Sequence, residues 1–462
     1  MRLSPDAGAG GLLRVLFLRR RALPGCPANR RPGSRMTATP SDTPGAPDTD
    51  TQSDGPPVWS LIAVLCAAQV MVQIGAFFWP ALLPRMIPLW ELSNTEAGWI
   101  TSAFYGAYMI SVPVLVTLTD RVDPKRIYLF GVGATVIGHL MFGLMAEGFW
   151  SAFATRAFTG MGWAGTYMTG LKLLADRVDA KTMSRATAAH AASIGVSGAL
   201  SFAVGDLIAV GFGWQWAFLT AGISAAVAWF MILAVVPARE NAPQPTGARP
   251  PLFDFRPVFR NRSAMAYAFA YAMHTLEMSA LRGWGVAFLG YVAVKQDMTD
   301  AWLTPAALVT ALGLLGTAAS VSGNEAAIRF GRRRLVQTAL VLSIVFALLT
   351  GFVGSTSYTL ATILLIAYGF VIWLDSSSLT AGTAGTAEPE RRGATLAVHS
   401  MLGYAGGFVG PLMVGLALDL SGGMSPVNWG IAFSTVAVCM LIALIVFVRI
   451  RPDELAGDRG KA

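Results

Sequence analysis

The 462-residue chain is 54% hydrophobic and only 13% charged, where a soluble globular protein carries about 25% charged residues; one large water-soluble core is excluded. The formal charge of +8 is no nucleic-acid footprint, because residues 1–35 hold eight arginines against Asp6 and the other 427 residues carry only +1. Three scattered cysteines, Cys26, Cys66 and Cys439, make neither a disulfide framework nor a Cys-based metal site.

Residues 1–57 read as a disordered cytoplasmic leader. Its first 35 residues are Arg-rich, with an apolar patch, "VLFL", too short for a signal-peptide core. A misassigned start, with Met36 as the first residue, accounts for them best. "MTATPSDTPGAPDTDTQSDGPP" then has the composition of a flexible polar segment.

From residue 58 onward, apolar runs of membrane-crossing length recur, each near the roughly 20 residues that span the hydrocarbon. Twelve spans are expected, near 59–86, 97–118, 127–147, 149–174, 186–210, 214–237, 263–292, 303–323, 335–354, 358–383, 394–418 and 429–449. They must be helices. In lipid each backbone N–H and C=O needs a partner within the span, and barrel strands would alternate polar and apolar residues. With the N-terminus in the cytoplasm, the inner loops, span ends and tail hold 22 Lys and Arg and the outer side two, Arg85 and Lys295. Both termini are therefore expected to be cytoplasmic.

The chain also repeats itself. "WQWAF" (Trp214–Phe218) opens span 6 and "WGIAF" (Trp429–Phe433) opens span 12, 215 residues later. "DRVDPKR" after span 2 and "IRFGRRR" after span 8 lie 208 residues apart. The expected organisation is a six-helix bundle at 58–237, a central cytoplasmic loop at 238–261, a second six-helix bundle at 262–450 and a tail at 451–462. Two such repeats with a site between them near the midplane are the signature of alternating-access transporters.

These landmarks resemble the major facilitator superfamily of secondary transporters over about 59–450. The family's loop motif after spans 2 and 8 runs roughly G-x-x-x-D-R-x-G-R-R. Here the first copy keeps Asp120 and Arg121, and the second keeps Arg329, Arg332 and Arg333, with Ile328 at the aspartate position and Glu325 one turn earlier as its substitute. The span 4 motif R-x-x-x-G-x-G-x-x-G is intact as "RAFTGMGWAG", Arg156 to Gly165. The general shape is also distantly similar to the nitrate/nitrite porter branch, through "GYAGGFVG" in span 11, but spans 2 and 8 lack that branch's anion-clamp arginines. The glycine-rich stretch is better explained as a close helix contact. The resemblance implies an all-α membrane fold of twelve helices in two pseudo-symmetric bundles. It implies that charge pairs of Asp120, Arg121, Glu325, Arg329, Arg332 and Arg333 gate the cytoplasmic side, and that spans 1, 4, 7 and 10 line the central cavity.

Few ionisable groups lie inside the spans, where a charge costs about 2.5–3.5 kcal/mol. They are Arg156, Asp206, Glu277, Arg282, Asp375 and the four histidines, His139, His190, His274 and His399. Three fall within "HTLEMSALRGW". His274 and Glu277 are three apart and can hydrogen-bond on one helix face; Arg282 lies about 140° round from Glu277, unless Gly283 and Gly285 loosen the helix. The expectation is a division of labour. Glu277 exchanges a proton, with His274 as relay. Arg282 and Arg156 hold a small organic anion, since a guanidinium meets a carboxylate with two hydrogen bonds. Gln69, Gln73 and Asp375 complete the substrate site. The expected activity is proton-coupled secondary transport of a carboxylate; the alternatives are a proton-driven efflux pump for a neutral or cationic molecule and a non-transporting sensor on the same fold. H-E-x-x-H and the phosphate-binding G-x-x-x-x-G-K-[ST] are absent from the sequence, so neither zinc hydrolysis nor ATP-driven transport is expected. No cofactor, metal or nucleic-acid partner is expected; protons, the bilayer and the solute are, for a monomer.

Overall fold

The computed structural model describes residues 57–119, 121–238, 255–298 and 303–460. The leader, most of the central loop and Asp120 lie outside these residues. Span 1 is α1 (Val58–Gln73) and α2 (Phe78–Leu89), span 2 α3 (Asn94–Leu118), span 3 α4 (Pro124–Met145), and span 4 α5 (Phe149–Ala164) and α6 (Tyr167–Ala175). Spans 5 and 6 are α7 (Ala180–Phe212) and α8 (Trp214–Val235). After a short α9 (Arg256–Arg260), span 7 is α10 (Arg262–Lys295), span 8 α11 (Pro305–Phe330) and span 9 α12 (Arg332–Phe352). Span 10 is α13 (Tyr358–Trp373) and α14 (Ser376–Thr386), span 11 α15 (Arg392–Leu420) and span 12 α16 (Pro426–Ile450).

Among the described residues, ten stretches are long and apolar enough to cross a bilayer. The other two expected spans are 4 and 7. Span 4 is split into pieces of 16 and 9 residues. Span 7 runs for 34 residues, but its hydropathy is diluted by the ionisable groups it carries. Large apolar side chains face outward along the bundle surface, among them Ile110, Leu144, Phe230 and Ile363, as lipid-facing helices require.

Three spans break near their middles, and each break has a local cause. Span 1 leaves the helix after Gln73. There the Ala76 carbonyl accepts from Arg156 Nη2 at 2.8 Å and the Phe77 N–H donates to Ser201 Oγ at 2.9 Å, so side chains replace the missing helical bonds. Span 4 breaks at Gly165–Thr166 and span 10 at Leu374–Asp375, where Asp375 and the serines after it favour starting a helix over continuing one. Thr166 and Asp375 are 209 residues apart, close to the repeat interval. The loosening expected at Gly283 and Gly285 does not occur: α10 runs unbroken through both, packed against Pro411, Val309 and Leu365.

The two halves of the sequence meet through spans 2 and 11 and through spans 5 and 8. Gly406 and Gly410 of α15 lie against the backbone of α10, where a Cβ would run into the carbonyl oxygens of Ala272 and Leu276. That is the close approach expected of the glycine-rich stretch. At the end away from the basic loops, Asp419 of α15 reaches the start of α3. Its Oδ1 accepts from the Asn94 N–H at 3.1 Å and from Asn94 Nδ2 at 2.7 Å, and its Oδ2 from the Thr95 N–H at 2.6 Å. A carboxylate on one half thus caps a helix of the other. Between α7 and α11, the Ala203 N–H donates to Thr310 Oγ1 at 3.0 Å. Loss of a cap costs about 0.5–2 kcal/mol. Asp419→Ala should therefore loosen this seal, and a single cysteine at Met278 should react several-fold faster with a membrane-impermeant maleimide added from that side. An unchanged rate would show that the cap does not hold the seal.

At the basic end the motif charges pair within their own halves. Asp123, not Asp120, meets Arg177 at 3.2 Å, and Lys125 Nζ donates to the Val236 and Leu233 carbonyls at the end of α8. Arg121 sits in the turn after α3. Glu325 pairs with Arg329 one turn along α11 at 2.7 Å, on the exposed surface. Arg332 is buried and clasps Asp458 of the tail through two bonds, Nη2 to Oδ1 at 3.0 Å and Nε to Oδ2 at 3.1 Å. Arg333 and Arg459 both approach Glu454, at 3.8 and 3.1 Å. The tail is also tied to α10, where Ser263 Oγ donates to Asp453 Oδ2 at 2.7 Å and Tyr267 Oη to the Asp453 carbonyl at 3.0 Å.

Candidate functional site

The three breaks and the unbroken α10 surround a cavity of about 490 Å³. Phe77 comes from the break in span 1 and Trp373 from the break in span 10; Trp163 precedes the break in span 4 and Tyr167 follows it. Tyr105 of α3, Tyr271 of α10 and Tyr404 of α15 complete an aromatic wall, while Ala188, Ala191, Ala192, Gly195 and Gly198 of α7 give a wall with almost no side chain. Thr317, Ser320, Ser376 and Ser377 supply hydroxyls. The α7 and α11 lining lies on the basic-loop side of the Ala203–Thr310 bond, so the halves meet at the opposite end and spread around the cavity toward the basic end.

Arg282 is the one charged side chain on this wall. Its guanidinium carbon lies 5.0 Å from the ring centroid of Phe77 and 5.0 Å from that of Trp373. Rings from the two halves of the chain thus hold it by cation–π contact. Among the described residues no carboxylate lies within ion-pairing distance of it. Gln73 also faces the cavity, and its Oε1 accepts from Ser197 Oγ at 3.4 Å.

The other expected site residues lie elsewhere. Arg156 is 2% exposed and off the cavity wall, with its guanidinium carbon 4.6 Å from the Phe104 centroid and one nitrogen on the Ala76 carbonyl; its position supports the span 1 break. Gln69 is buried one turn from Gln73, and its Oε1 accepts from Tyr128 Oη at 3.3 Å. Asp375 turns from the cavity to His274, Oδ1 to Nδ1 at 3.0 Å. Glu277 is 1% exposed and accepts from Tyr368 Oη at 2.8 Å and Ser343 Oγ at 3.0 Å. The expected His274–Glu277 hydrogen bond is not formed. Both point into the C-terminal half, but successive turns of α10 face different neighbours, α14 for His274 and α12 with α13 for Glu277.

The remaining histidines are held by local contacts. His190 Nε2 lies 3.2 Å from the Tyr167 carbonyl, with its ring stacked on that tyrosine. His399 has Nδ1 3.0 Å from Thr383 Oγ1 and its ring 3.9 Å from that of Tyr271. Asp206 pairs with Arg85 at 3.1 Å, toward the end away from the basic loops. The aromatic wall was missed in the sequence because an aromatic content of 10% is ordinary. The one available signal was that Phe77 and Trp373 stand where glycine, proline or an Asp-Ser run interrupts an apolar span.

The family model described as Major Facilitator Superfamily matches residues 61–324, more than half of the chain. The chain is 25% identical to bovine protein spinster homolog 1 over 238 residues, 50% of this chain and 45% of the relative, and 26% identical to the Drosophila melanogaster protein spinster over 52% of this chain and 40% of that one. It thus spans less than half the length of those relatives. The Bacillus subtilis protein named uncharacterized MFS-type transporter YbcL is 22% identical over 84% of this chain and 95% of its own length. Among solved structures, a bacterial homolog to human lysosomal transporter Spinster in an inward-facing and occupied conformation superposes with TM-score 0.68, at 14% identity over 86% of this chain and 97% of its own. The nucleoside transporter NupG gives 0.66 at 14% identity over 85% and 99%. With a matching helical architecture and a central cavity between its halves, this chain belongs to the Major Facilitator Superfamily and is a multi-pass membrane transporter rather than an enzyme.

Proposed function

We propose that the protein moves a small organic anion, a carboxylate, by alternating access coupled to protons. The observation that carries this reading is Arg282, a guanidinium on the cavity wall with aromatic rings beside it and no protein carboxylate to neutralise it. A buried charge needs a partner, and a carboxylate entering the cavity provides one with matching two-bond geometry. A cationic cargo is disfavoured by the same wall, because Glu277 and Asp375 turn away from the cavity and Asp206 is paired with Arg85. A neutral cargo, such as the nucleoside in NupG's name, would leave Arg282 uncompensated.

Proton coupling is assigned to the polar cluster behind the wall. Glu277 sits among Tyr368 and Ser343, and His274 faces Asp375 at the start of α14. Trp373, one side of the Arg282 cradle, is two residues from Asp375. A proton arriving at the His274–Asp375 pair changes the charge at the α13–α14 junction, and that junction carries a face of the anion site. With the basic loops in the cytoplasm, the cavity spreads toward the cytoplasmic side and both termini lie there.

The test is uptake into proteoliposomes under an imposed pH gradient, with carboxylates beside neutral and cationic controls. Accumulation of carboxylates alone supports the proposal, and accumulation of only the controls overturns it. Glu277→Gln should lower gradient-driven accumulation about tenfold or more while anion exchange continues. If accumulation is unchanged, the Glu277 cluster is a helix brace.

A further inference from the structure

Beside the main cavity, and sharing Gln73, Ala76 and Trp163 with it, lies a second void of about 10 Å³. It reaches into the first half of the chain, to Thr135, His139 and Thr159. This size admits one water-sized group. Three of its lining nitrogens, Gln73 Nε2, His139 Nε2 and Trp163 Nε1, are buried with no hydrogen-bond partner among the described residues. Buried polar atoms are nearly always satisfied, so three on one small void need an explanation.

The donors and acceptors define what would satisfy them. Trp163 Nε1 and Gln73 Nε2 can only donate. The Thr135 and Thr159 hydroxyls already give their hydrogens to the Gly131 and Thr155 carbonyls, each at 3.0 Å, which leaves only lone pairs toward the void. Next to it the Arg156 guanidinium has two further nitrogens without partners, Nε and Nη1, so the local field favours an oxygen. A group that accepts two hydrogen bonds, donates one and occupies the space of a water is a hydroxyl.

We infer that this side void is a subsite for a hydroxyl of the transported anion. The cargo is then a hydroxycarboxylate, with its carboxylate on Arg282 and its hydroxyl between Gln73, Trp163 and His139. This rests on the organic-anion reading above and narrows it. A water could supply the same chemistry, and the two sources predict different transport.

The experiment compares uptake efficiency of matched acids in proteoliposomes: propionate with lactate, and phenylacetate with mandelate and with 4-hydroxyphenylacetate. In the native protein at least one hydroxylated acid should exceed its parent about tenfold or more, since the parent leaves the buried donors unpaired. Trp163→Phe keeps a ring and removes the N–H, and should bring that ratio to within about twofold. The ratio in the native protein is informative even where the variant folds poorly. If all pairs are transported equally well, the subsite is overturned, and an equal loss for both members of a pair in Trp163→Phe would identify the occupant as a resident water. If none of the acids is transported while neutral or cationic controls are, the organic-anion reading fails and this inference falls with it.

Discussion

Arg282→Ala is expected to abolish carboxylate binding while leaving the protein folded. Truncating one member of a buried, hydrogen-bonded charge pair costs about 2–5 kcal/mol. At 1.4 kcal/mol per factor of ten, the middle of that range is more than a hundredfold in apparent affinity. Folding should tolerate the change because no carboxylate depends on Arg282: its contacts are the faces of Phe77 and Trp373. Arg282→Lys keeps the charge but not the planar fork, and should fall between the two, about tenfold weaker than native. The measurement is competition by the carboxylate panel in a counterflow assay, with elution volume as the check on folding. If Arg282→Ala binds the same acids with native affinity, the anion is held elsewhere and the proposed function loses its support.

Asp458→Ala should give the largest loss of stability. Its carboxylate takes two bonds from Arg332 and one from the Leu455 N–H, and Arg332 and Asp458 are only 3% and 4% exposed. Removing one partner of a buried pair costs about 3–5 kcal/mol, chiefly because the other charge is left desolvated. Arg332 would keep only Asn324 and the Ser378 carbonyl. Replacing both partners together, as Arg332→Met with Asp458→Leu, removes the stranded charge and should restore much of the loss. Thermal unfolding of the detergent-purified protein checks this. A single variant with a native Tm would show that the tail does not dock in solution. The second half's loop motif thus works as an anchor for the tail, and the resemblance alone could not reveal this, because the partner lies 126 residues away in the chain.

The sequence made the helices legible wherever burial by lipid dominates, since long uncharged runs have only one way to satisfy their backbones. It also made the repeat legible, through the Trp-initiated spans and the basic loops. It was weaker on the direction of side chains. His274, Glu277 and Arg282 were recognisable as a group because charges in hydrocarbon are costly, but only Arg282 faces the cavity. The reason is geometric. Three residues of helix separate His274 from Glu277, yet each looks into a different crevice, and which crevice holds Asp375, Tyr368 or Ser343 depends on contacts 66 to 101 residues away in the chain. The break positions were equally hidden. Gly283 and Gly285 suggested a weak point in span 7, whereas span 10 breaks at a Leu-Asp pair with neither glycine nor proline.

The unbroken α10 works as a ruler. His274, Glu277 and Arg282 ride on a single rod, so the axial spacing from Arg282 is about 12 Å for His274 and about 7.5 Å for Glu277 at 1.5 Å per residue. No rocking of the two halves alters those spacings. Whatever passes between the proton cluster and the anion cannot be a direct handover that closes that distance. It has to travel through parts that shift against the rod, and the structure offers one such part in contact with both: the two-residue joint Leu374–Asp375, with an acid facing His274 at one end and the Trp373 ring against Arg282 at the other. A covalent brace across that joint would therefore be expected to leave binding intact and disconnect it from the gradient.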